Sequence, residues 1–345
     1  MKKNILLVGN FLSSVGFNRG VCEDLAIRLK LTGWSVLVTS SKPERLARLV
    51  DMLTTVWREK DNYSVVQIDV YSGRAFVWAE VVSWLLSRLG KPFILTLRGG
   101  NLPEFAKRWP SHVHHLLSAA TVVTTPSRYL LEKMQTYRQD ICLLPNPLDL
   151  KLYDFHLRHQ PESRLIWLRA FHATYNPNLA VRVLADLLPD FHDACLSMIG
   201  PDKGDGAYQE TVKLSKELGV ESRVVFTGGI PKTKVPSWLN KGDIFINTTH
   251  VDNTPISVLE AMACGLIIIS TNVGGIPYLL DDGIDALLVP PNDPQAMATA
   301  IRRILSEPEL ASYLSANARA KAEMYDWEKI FPIWESILLK ASVNG

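Results

Sequence analysis

Short apolar runs alternate with helical patterns along the whole chain of 345 residues, and this alternation constrains the fold more than any other feature. In the first half the runs lie near Ile5, Val36, Val65, Ile94, Val122 and Leu143. In the second half they read R-L-I-W-L-R, A-C-L-S-M-I-G, R-V-V-F-T-G, D-I-F-I-N-T, L-I-I-I-S-T and D-A-L-L-V-P. Strands that alternate with amphipathic helices form parallel sheets covered by helices on both faces. We therefore predict an α/β protein.

The length of the chain and one proline-containing segment predict two domains. A chain of 345 residues exceeds the usual size of one domain and can bury two cores. The segment L-P-N-P-L-D-L-K-L-Y has two prolines that would stiffen an exposed crossing. We predict an N-terminal domain over residues 1–147 and a C-terminal domain over residues 148–327. The tail that follows carries Trp327, Phe331 and Trp334 on an apolar stripe of one helix, with Pro332 as a kink.

Composition and cysteine spacing indicate a globular protein of a reducing compartment. Hydrophobic residues make up 47% of the chain and charged residues 21%, without a low-complexity tract. The four cysteines, Cys22, Cys142, Cys195 and Cys264, are far apart in apolar contexts, which indicates neither a disulfide framework nor a zinc site. The start M-K-K-N-I-L-L-V-G-N is interpreted as a buried first strand because its apolar core is too short for a signal peptide. We predict a cytoplasmic location.

Charge is distributed unevenly between the two halves. Residues 1–150 contain 19 Lys and Arg against 12 Asp and Glu, whereas the remainder contains 18 against 23. A basic N-terminal half favours an anionic acceptor or surface, such as a lipid diphosphate or the inner leaflet of a membrane. A spread of solvated lysines is the alternative. The most apolar segment, between Arg74 and Arg88, contains Glu80 and is too short to cross a bilayer.

The segment H-V-D-N-T-P-I-S-V-L-E-A-M-A-C-G-L-I-I-I-S-T-N-V-G-G-I-P predicts one strand, loop, helix and strand unit. Asn253 or Thr254 has the side chain of an N-cap, and Pro255 suits the first helical position. Gly265 follows the last apolar residue as a stop signal. We therefore predict a helix from about Pro255 to Cys264.

The start of this helix combines two features that suit a phosphorylated ligand. Its first turn offers unpaired backbone N–H groups and the positive end of the helix dipole, which together form a phosphate seat. Glu260, eight positions after Asp252, is an acceptor-only carboxylate suited to the two hydroxyls of a ribose. The alternative is an ordinary capped helix in which Glu260 is solvated.

This unit resembles the signature of the group 1 (family 4) retaining glycosyltransferases, in which two acids separated by seven residues hold the nucleotide sugar. The pattern is Asp-x7-Glu here, where the family more often has Glu-x7-Glu. The resemblance implies that Glu260 binds the nucleotide ribose and that Asp252 lies near the donor sugar. It places Asn253, Thr254, Pro255, Gly274 and Gly275 around the donor phosphates. The implied fold is GT-B, two Rossmann-like parallel-sheet domains facing across a cleft, with the helix over residues 328–345 crossing back to the N-terminal domain. The alternative is that the apolar stripe of this tail packs only on the C-terminal domain.

Three further loops resemble donor-binding loops of the family. Gly16, in G-N-F-L-S-S-V-G-F-N-R-G, would approach the donor diphosphate, although a tight strand-to-helix turn explains this glycine equally well. Arg169, at the end of W-L-R, would grip the diphosphate, and a buried structural arginine is the alternative. Gly229 and Ile230, in F-T-G-G-I, would contact the base through their backbone.

The chain departs from the family pattern at three positions. Arg98 stands where the family usually has a histidine, which moves this position from proton chemistry to anion binding. Thr174 stands where a second cation is expected, and Tyr278 stands where an acid is common. The histidines at positions 112, 114 and 115 are interpreted as surface residues of a helix. No metal site and no Asp-x-Asp motif is found.

The resemblance implies transfer of a hexose from a nucleotide diphosphate sugar to an acceptor, with retention of the anomeric configuration and without a metal or other cofactor. Catalysis would rest on Arg169, Asp252 and Arg98, and the leaving phosphate oxygen would take the acceptor proton. The expected acceptor is a glycan or lipid-linked glycan of cell-envelope or polysaccharide biosynthesis, with peripheral membrane contact and no nucleic acid partner. Two alternatives are a nucleotide-sugar 2-epimerase and a non-catalytic nucleotide-sugar-binding subunit.

Overall fold

The computed structural model describes residues 3–12 and 20–343 of the chain. The chain divides into two compact units. The first comprises Met1–Pro147 together with Glu328–Gly345, and the second comprises Leu148–Trp327. Gly16, which the sequence places near a donor diphosphate, lies outside the described residues.

The first unit is built from alternating strands and helices. Its strands are β1 (Asn4–Val8), β2 (Ser35–Thr39), β3 (Val65–Val70), β4 (Phe93–Leu97), β5 (Val122–Thr125) and β6 (Cys142–Leu143). The helices between them are α1 (Val21–Leu31), α2 (Arg45–Arg58), α3 (Phe76–Arg88), α4 (Leu102–Arg108), α5 (Pro110–Ala119) and α6 (Arg128–Met134). All pairs of neighbouring strands are parallel, in the order β2-β1-β3-β4-β5-β6. The strand order reverses between β1 and β3, and a ligand crevice forms at such a point in open α/β sheets.

The second unit repeats this architecture. Its strands are β7 (Arg164–Leu168), β8 (Cys195–Ile199), β9 (Val224–Gly228), β10 (Ile244–Asn247), β11 (Ile267–Thr271) and β12 (Leu287–Val289). Its helices are α7 (Pro177–Leu187), α8 (Ala207–Glu217), α9 (Val235–Leu239), α10 (Ile256–Ala263), α11 (Ile276–Leu279), α12 (Pro294–Ser306) and α13 (Pro308–Ala322). The last helix, α14 (Trp327–Val343), follows in the chain.

The second sheet is also parallel throughout, in the order β12-β11-β10-β7-β8-β9. Strand β7 therefore pairs with β10, although about 80 residues separate them in the chain. This is the doubly wound order of dinucleotide-binding domains, and its reversal lies between β7 and β10. The carboxyl ends of these two strands mark the expected ligand crevice of this unit.

The core explains why the strands could be read from the sequence. Every residue of β4, β10 and β11 is buried, because helices cover both faces of each sheet. Buried parallel strands carry continuous apolar runs, and all twelve predicted runs form strands. The strand near Leu143 is the weakest, since β6 is an exposed edge strand of two residues. None of the described helices is long and apolar enough to cross a bilayer.

The terminal helix α14 places two tryptophans in buried positions. Trp327 is 5% exposed and Trp334 is 1% exposed, which agrees with an apolar stripe. Pro332 lies inside the helix, as the sequence indicates. Within the first unit, Glu335 of this helix accepts hydrogen bonds from the Lys3 ammonium at 2.9 Å and the Trp34 indole N–H at 3.1 Å. These contacts join the helix to the edge of the sheet formed by β1 and β2.

Candidate functional site

Two side chains predicted to belong together meet where the second sheet reverses its strand order. Arg169 directly follows β7, and Asp252 lies in the loop after β10. The Arg169 guanidinium donates to Oδ2 of Asp252. The other carboxylate oxygen of Asp252 accepts the Asn253 backbone N–H at 2.8 Å. A charged pair, held from both sides, therefore stands at the position where open α/β sheets bind ligands.

The backbone of Arg169 is held in place by the neighbouring strand end. Its N–H donates to the Ile199 carbonyl at 3.0 Å, which continues the ladder between β7 and β8. Gly200 follows with a φ of 152°, and a Cβ at this position would lie 1.7 Å from the Arg169 carbonyl oxygen. Only glycine fits this approach without a shift of the backbone. The G of I-G-P-D is thus a positioning residue for Arg169.

The Arg169 side chain is mostly buried and stacks on an aromatic ring. Its guanidinium carbon lies 4.1 Å from the centroid of the Tyr175 ring, a cation–π geometry. Burial lowers the pKa of Arg169, and the nearby Tyr175 and Glu260 oppose that shift. An arginine keeps its charge under these conditions. The buried Nε of Arg169 has no hydrogen-bond partner among the described residues, so one donor is available to an anion.

The helix that follows Asp252 begins one residue later than the sequence predicts. Helix α10 spans Ile256–Ala263, and Pro255 occupies the N-cap position in an extended conformation. The prediction of a side-chain N-cap by Asn253 or Thr254 is therefore wrong, because proline has no hydrogen-bonding side chain to offer. In the first turn, the Ser257 hydroxyl is buried and has no partner among the described residues. The N-terminus of this helix thus retains hydrogen-bond donors from which a phosphate can accept hydrogen bonds.

The two glycines after β11 press against the loop that carries Asp252. A Cβ on Gly274 would lie 2.4 Å from the Asp252 carbonyl oxygen, and a Cβ on Gly275 would lie 2.0 Å from the Asn253 carbonyl oxygen. The Gly275 N–H donates to the Asp252 carbonyl at 2.8 Å. The sequence places these glycines near the donor phosphates, and the structure gives them a role that does not depend on a ligand. They fix the loop in front of α10.

We expect Gly275→Ala to destabilise the second unit by about 1–3 kcal/mol, because the added methyl group overlaps the Asn253 carbonyl oxygen. Gly20→Ala is the comparison for steric overlap, because an added Cβ there would meet its nearest atom at an ordinary 3.7 Å and any loss would reflect only the N-cap position of Gly20 in α1. Chemical denaturation measures both changes. An unchanged free energy of unfolding for Gly275→Ala would show that the loop yields without cost.

Glu260 lies one turn further along α10 and is the most enclosed acid of the site. Its side chain is 4% exposed. Oε1 accepts the Tyr153 hydroxyl at 2.5 Å and contacts the Lys232 ammonium. Glu260 also interacts electrostatically with Arg169. The alternative interpretation, a solvated helix residue, is wrong, because Glu260 is buried.

The loops after β7 and β9 complete this part of the second unit. Gly229 and Ile230 follow β9, and Gly229 packs against Pro201, whose Cβ would lie 3.3 Å from a Cβ placed on Gly229. The same loop continues to Lys232, which reaches Glu260. Thr174 contributes its backbone, since its carbonyl accepts the His250 N–H at 2.8 Å. The loop after β7 is thereby joined to the loop that carries Asp252.

In the first unit, Arg98 belongs to a separate buried polar cluster. Its Nε donates to Oδ1 of Asp69 at 2.9 Å, and another guanidinium nitrogen contacts the Asn146 side chain. Gln67 donates to the same Asp69 oxygen at 2.8 Å. Burial acts to lower the pKa of Arg98, but Asp69, Tyr71 and Cys22 together outweigh it and the pKa is raised. Arg98 is therefore a fixed cation, with one buried nitrogen unpartnered among the described residues.

The histidine-rich helix gathers no ligand set. His112 contacts Glu80 at 2.8 Å, whereas His114 contacts the Tyr137 carbonyl at 3.1 Å. Their partners differ, which agrees with surface positions on α5. In the part of the chain that the structure describes, no group of three or more His, Cys, Asp or Glu side chains is arranged to hold a metal ion.

Sequence reasoning missed several residues of these clusters. Tyr153 and Lys232 are distant from Glu260 in the chain and belong to no recognisable spacing. Asp69 could have been found, because it ends the strand run S-V-V-Q-I-D next to the predicted ligand edge. For Tyr153 and Lys232 the sequence carries no signal that we can identify.

Part of the chain is similar in sequence to known proteins. Residues 154–321 match the family model described as glycosyl transferases group 1. The D-inositol 3-phosphate glycosyltransferase of Frankia alni is 30% identical over 134 residues, which are 38% of this chain and 33% of that protein. A GDP-mannose-dependent alpha-(1-6)-phosphatidylinositol monomannoside mannosyltransferase of Mycolicibacterium smegmatis is 30% identical over 41% of this chain and 38% of that protein. The chain thus covers about a third of the length of such relatives.

Solved structures extend the likeness to the whole fold. Sucrose-phosphate synthase of Thermosynechococcus elongatus superposes with a TM-score of 0.80 at 19% identity, covering 100% of both chains. HepE of Anabaena, solved in complex with UDP and glucose, superposes with a TM-score of 0.75 at 17% identity, covering 97% of this chain and 99% of HepE. With two six-stranded parallel sheets and these neighbours, the predicted α/β fold of the GT-B class is confirmed.

Proposed function

We propose that the protein is a retaining glycosyltransferase that moves a hexose from a nucleotide diphosphate sugar to an acceptor. The observation that carries this proposal is the pair of Arg169 and Asp252 at the strand reversal, beside the uncapped start of α10. The match of residues 154–321 to the group 1 glycosyltransferase model supports the same reaction class. The second unit would hold the donor.

The chemistry needed is stabilisation of a departing diphosphate. Arg169 brings a preorganised cation, and the first turn of α10 adds backbone N–H groups and the Ser257 hydroxyl. Because these donors are already fixed by packing, they need little rearrangement when charge develops on the leaving oxygen. Glu260 would accept the ribose hydroxyls, and Gly229 and Ile230 would contact the base through their backbone. Asp252 would orient Arg169 and lie near the donor sugar.

We further propose that no bound metal takes part and that the leaving phosphate oxygen accepts the acceptor proton. In this scheme, the donors around the diphosphate supply the positive charge that a metal supplies elsewhere. Arg98, fixed by Asp69, would serve an anionic acceptor or donor group in place of a histidine. The acceptor would be a glycan or lipid-linked glycan of cell-envelope or polysaccharide biosynthesis. The four free cysteines suit a cytoplasmic setting.

A panel of UDP-, GDP- and ADP-sugars tests the reaction class. Nucleotide release is measured with and without lipid and polysaccharide extracts, in the presence and absence of EDTA. We expect release that depends on an acceptor extract, persists in EDTA and yields a product whose anomeric configuration matches the donor by NMR. Inversion at the anomeric carbon would refute retention, and loss of activity in EDTA would refute metal independence.

The same panel separates the two alternatives. A nucleotide-sugar 2-epimerase would isomerise the sugar without an acceptor. A non-catalytic partner subunit would bind a nucleotide sugar and release nothing. Either result, obtained with protein that binds the donor, would replace the transferase proposal.

A peripheral membrane contact is proposed for the first unit. Leu46, Val50 and Trp57 are exposed on one face of α2, as their spacing of four and seven residues requires. The Lys60 ammonium lies 4.8 Å from the Trp57 ring. Exposed Trp84 of α3 has the Arg88 guanidinium at 5.1 Å from its ring. Aromatic rings with adjacent cations suit the headgroup region of an anionic bilayer.

We expect the double variant Leu46→Ser and Trp57→Ser to weaken binding to phosphatidylglycerol vesicles about tenfold or more, because two apolar groups are lost from the contact. Tyr313→Ser is the matched control, since Tyr313 is a similarly exposed aromatic residue of the second unit. Co-sedimentation measures the bound fraction. Equal binding of the double variant and the control would argue against this surface.

A further inference from the structure

Lys232 is a cation at the site that no spacing or motif predicts. It lies in the short 3-10 helix Lys232–Lys234 after β9, and its ammonium contacts Oε1 of Glu260. The Lys232 side chain is 40% exposed, whereas the Glu260 side chain is 4% exposed. The Lys232 side chain is therefore the more exposed partner of this enclosed carboxylate.

The hydrogen-bond capacity of Glu260 shows that this contact cannot persist when a diol is bound by both carboxylate oxygens. Each carboxylate oxygen has about two lone-pair sites. Oε1 already accepts the Tyr153 hydroxyl at 2.5 Å and also contacts Lys232. Tyr153 is buried and remains in place, so a ribose hydroxyl that binds Oε1 must displace the more exposed ammonium.

A displaced ammonium needs a new acceptor, and a diphosphate provides one. Lysine has donors only, and phosphate oxygens are charged acceptors. The other cation of this cluster in the described residues is Arg169, which is already paired with Asp252. A nucleoside diphosphate thus brings both groups that the exchange needs. Its ribose takes the position of Lys232 on Glu260, and its phosphates accept the released ammonium.

We propose that Lys232 is a mobile second cation of the donor site, which moves from Glu260 to the diphosphate when the nucleotide binds. This inference rests on the proposed function, because it assumes a nucleoside diphosphate as ligand. In this proposal, Lys232 makes the site bind nucleoside diphosphates more tightly than nucleosides. In the free protein the Lys232 ammonium pairs with Glu260, so that the buried carboxylate is not left unpaired.

The test compares nucleoside and diphosphate binding in Lys232→Met and Lys234→Met. Lys234 belongs to the same 3-10 helix, and its loss removes the same charge. Isothermal titration uses uridine with UDP, guanosine with GDP and adenosine with ADP. For the pair that wild type binds, we expect Lys232→Met to lose about tenfold in diphosphate affinity. Nucleoside affinity should stay equal or rise, since the diol no longer competes with an ammonium.

Four outcomes would overturn the inference. Equal losses of affinity for the nucleoside and the diphosphate would mean that Lys232 only positions Glu260. Unchanged affinities for both ligands in Lys232→Met would show that Lys232 has no role in binding. The same change of affinity in Lys234→Met would show that the effect is not specific to Lys232. If the wild-type protein binds none of the six compounds, the proposed function is refuted, and this inference with it. Recovery of diphosphate affinity in Lys232→Arg would support the requirement for a cation.

Discussion

Replacing Arg169 with alanine is expected to lower the turnover number of sugar transfer about 100- to 1000-fold, the usual effect of losing one preorganised donor to a leaving oxyanion. The affinity for the intact donor should fall much less, because the charge on the leaving oxygen develops only in the transition state. Steady-state kinetics, with donor affinity measured separately by calorimetry, gives both quantities.

Arg164→Ala is the matched control for this prediction. Arg164 lies at the opposite end of the same strand and pairs with Asp243 at 2.9 Å, away from the carboxyl edge of the sheet. This variant should retain turnover within a few-fold. Arg169→Lys should recover only part of the activity, because an ammonium cannot reproduce the planar donors of a guanidinium. If Arg169→Ala turned over at the wild-type rate, Arg169 would not be a catalytic residue.

Glu260→Gln is expected to weaken nucleotide binding about 10- to 100-fold, because the charged acceptor for the ribose hydroxyls is lost while the size of the side chain is kept. Glutamine is preferred to alanine here, since its carbonyl oxygen can still accept the Tyr153 hydroxyl. Isothermal titration with UDP, GDP and ADP measures the change. The corresponding 2′,3′-dideoxynucleotides should bind wild type and variant alike.

Asp285→Asn provides the control for a general effect of neutralising a buried acid. The Asp285 side chain is 2% exposed and contacts the Lys321 ammonium, so it resembles Glu260 in burial and in pairing. It lies after β11 and before β12, and it has no contact with Arg169 or Asp252 in the described structure. Similar losses of nucleotide affinity in both variants would indicate a change in the stability of the unit rather than loss of a ligand contact.

The positions of the strands could be predicted because burial on both faces leaves a direct trace in the sequence. β11 reads I-I-I-S-T and is buried at every position. The order of strands left no such trace. The apolar runs near Leu165 and Phe245 do not predict that β7 pairs with β10. Parallel pairing is set by the crossover connections and not by the local conformational preference of the residues.

The boundaries of α10 show a similar limit. Asparagine, threonine and proline before an apolar run favour a capped helix start, but the structure puts Pro255 itself at the N-cap. The loop before α10 is held by Gly275, whose N–H donates to the Asp252 carbonyl. A tertiary contact thus outweighs the local capping preference.

The sequence was enough to predict the α/β class and a helix start suited to an anion, since both depend on periodicity and on short-range spacing. The resemblance to a known family then placed Arg169, Asp252 and Glu260 in one group. Only the tertiary structure decided that Tyr153 and Lys232 fill one oxygen of Glu260, and that Asp69 fixes Arg98. The reason is that these partners come from strands, helices and loops that are far apart in the chain. Their meeting depends on the three-dimensional order of the strands, which no local pattern encodes.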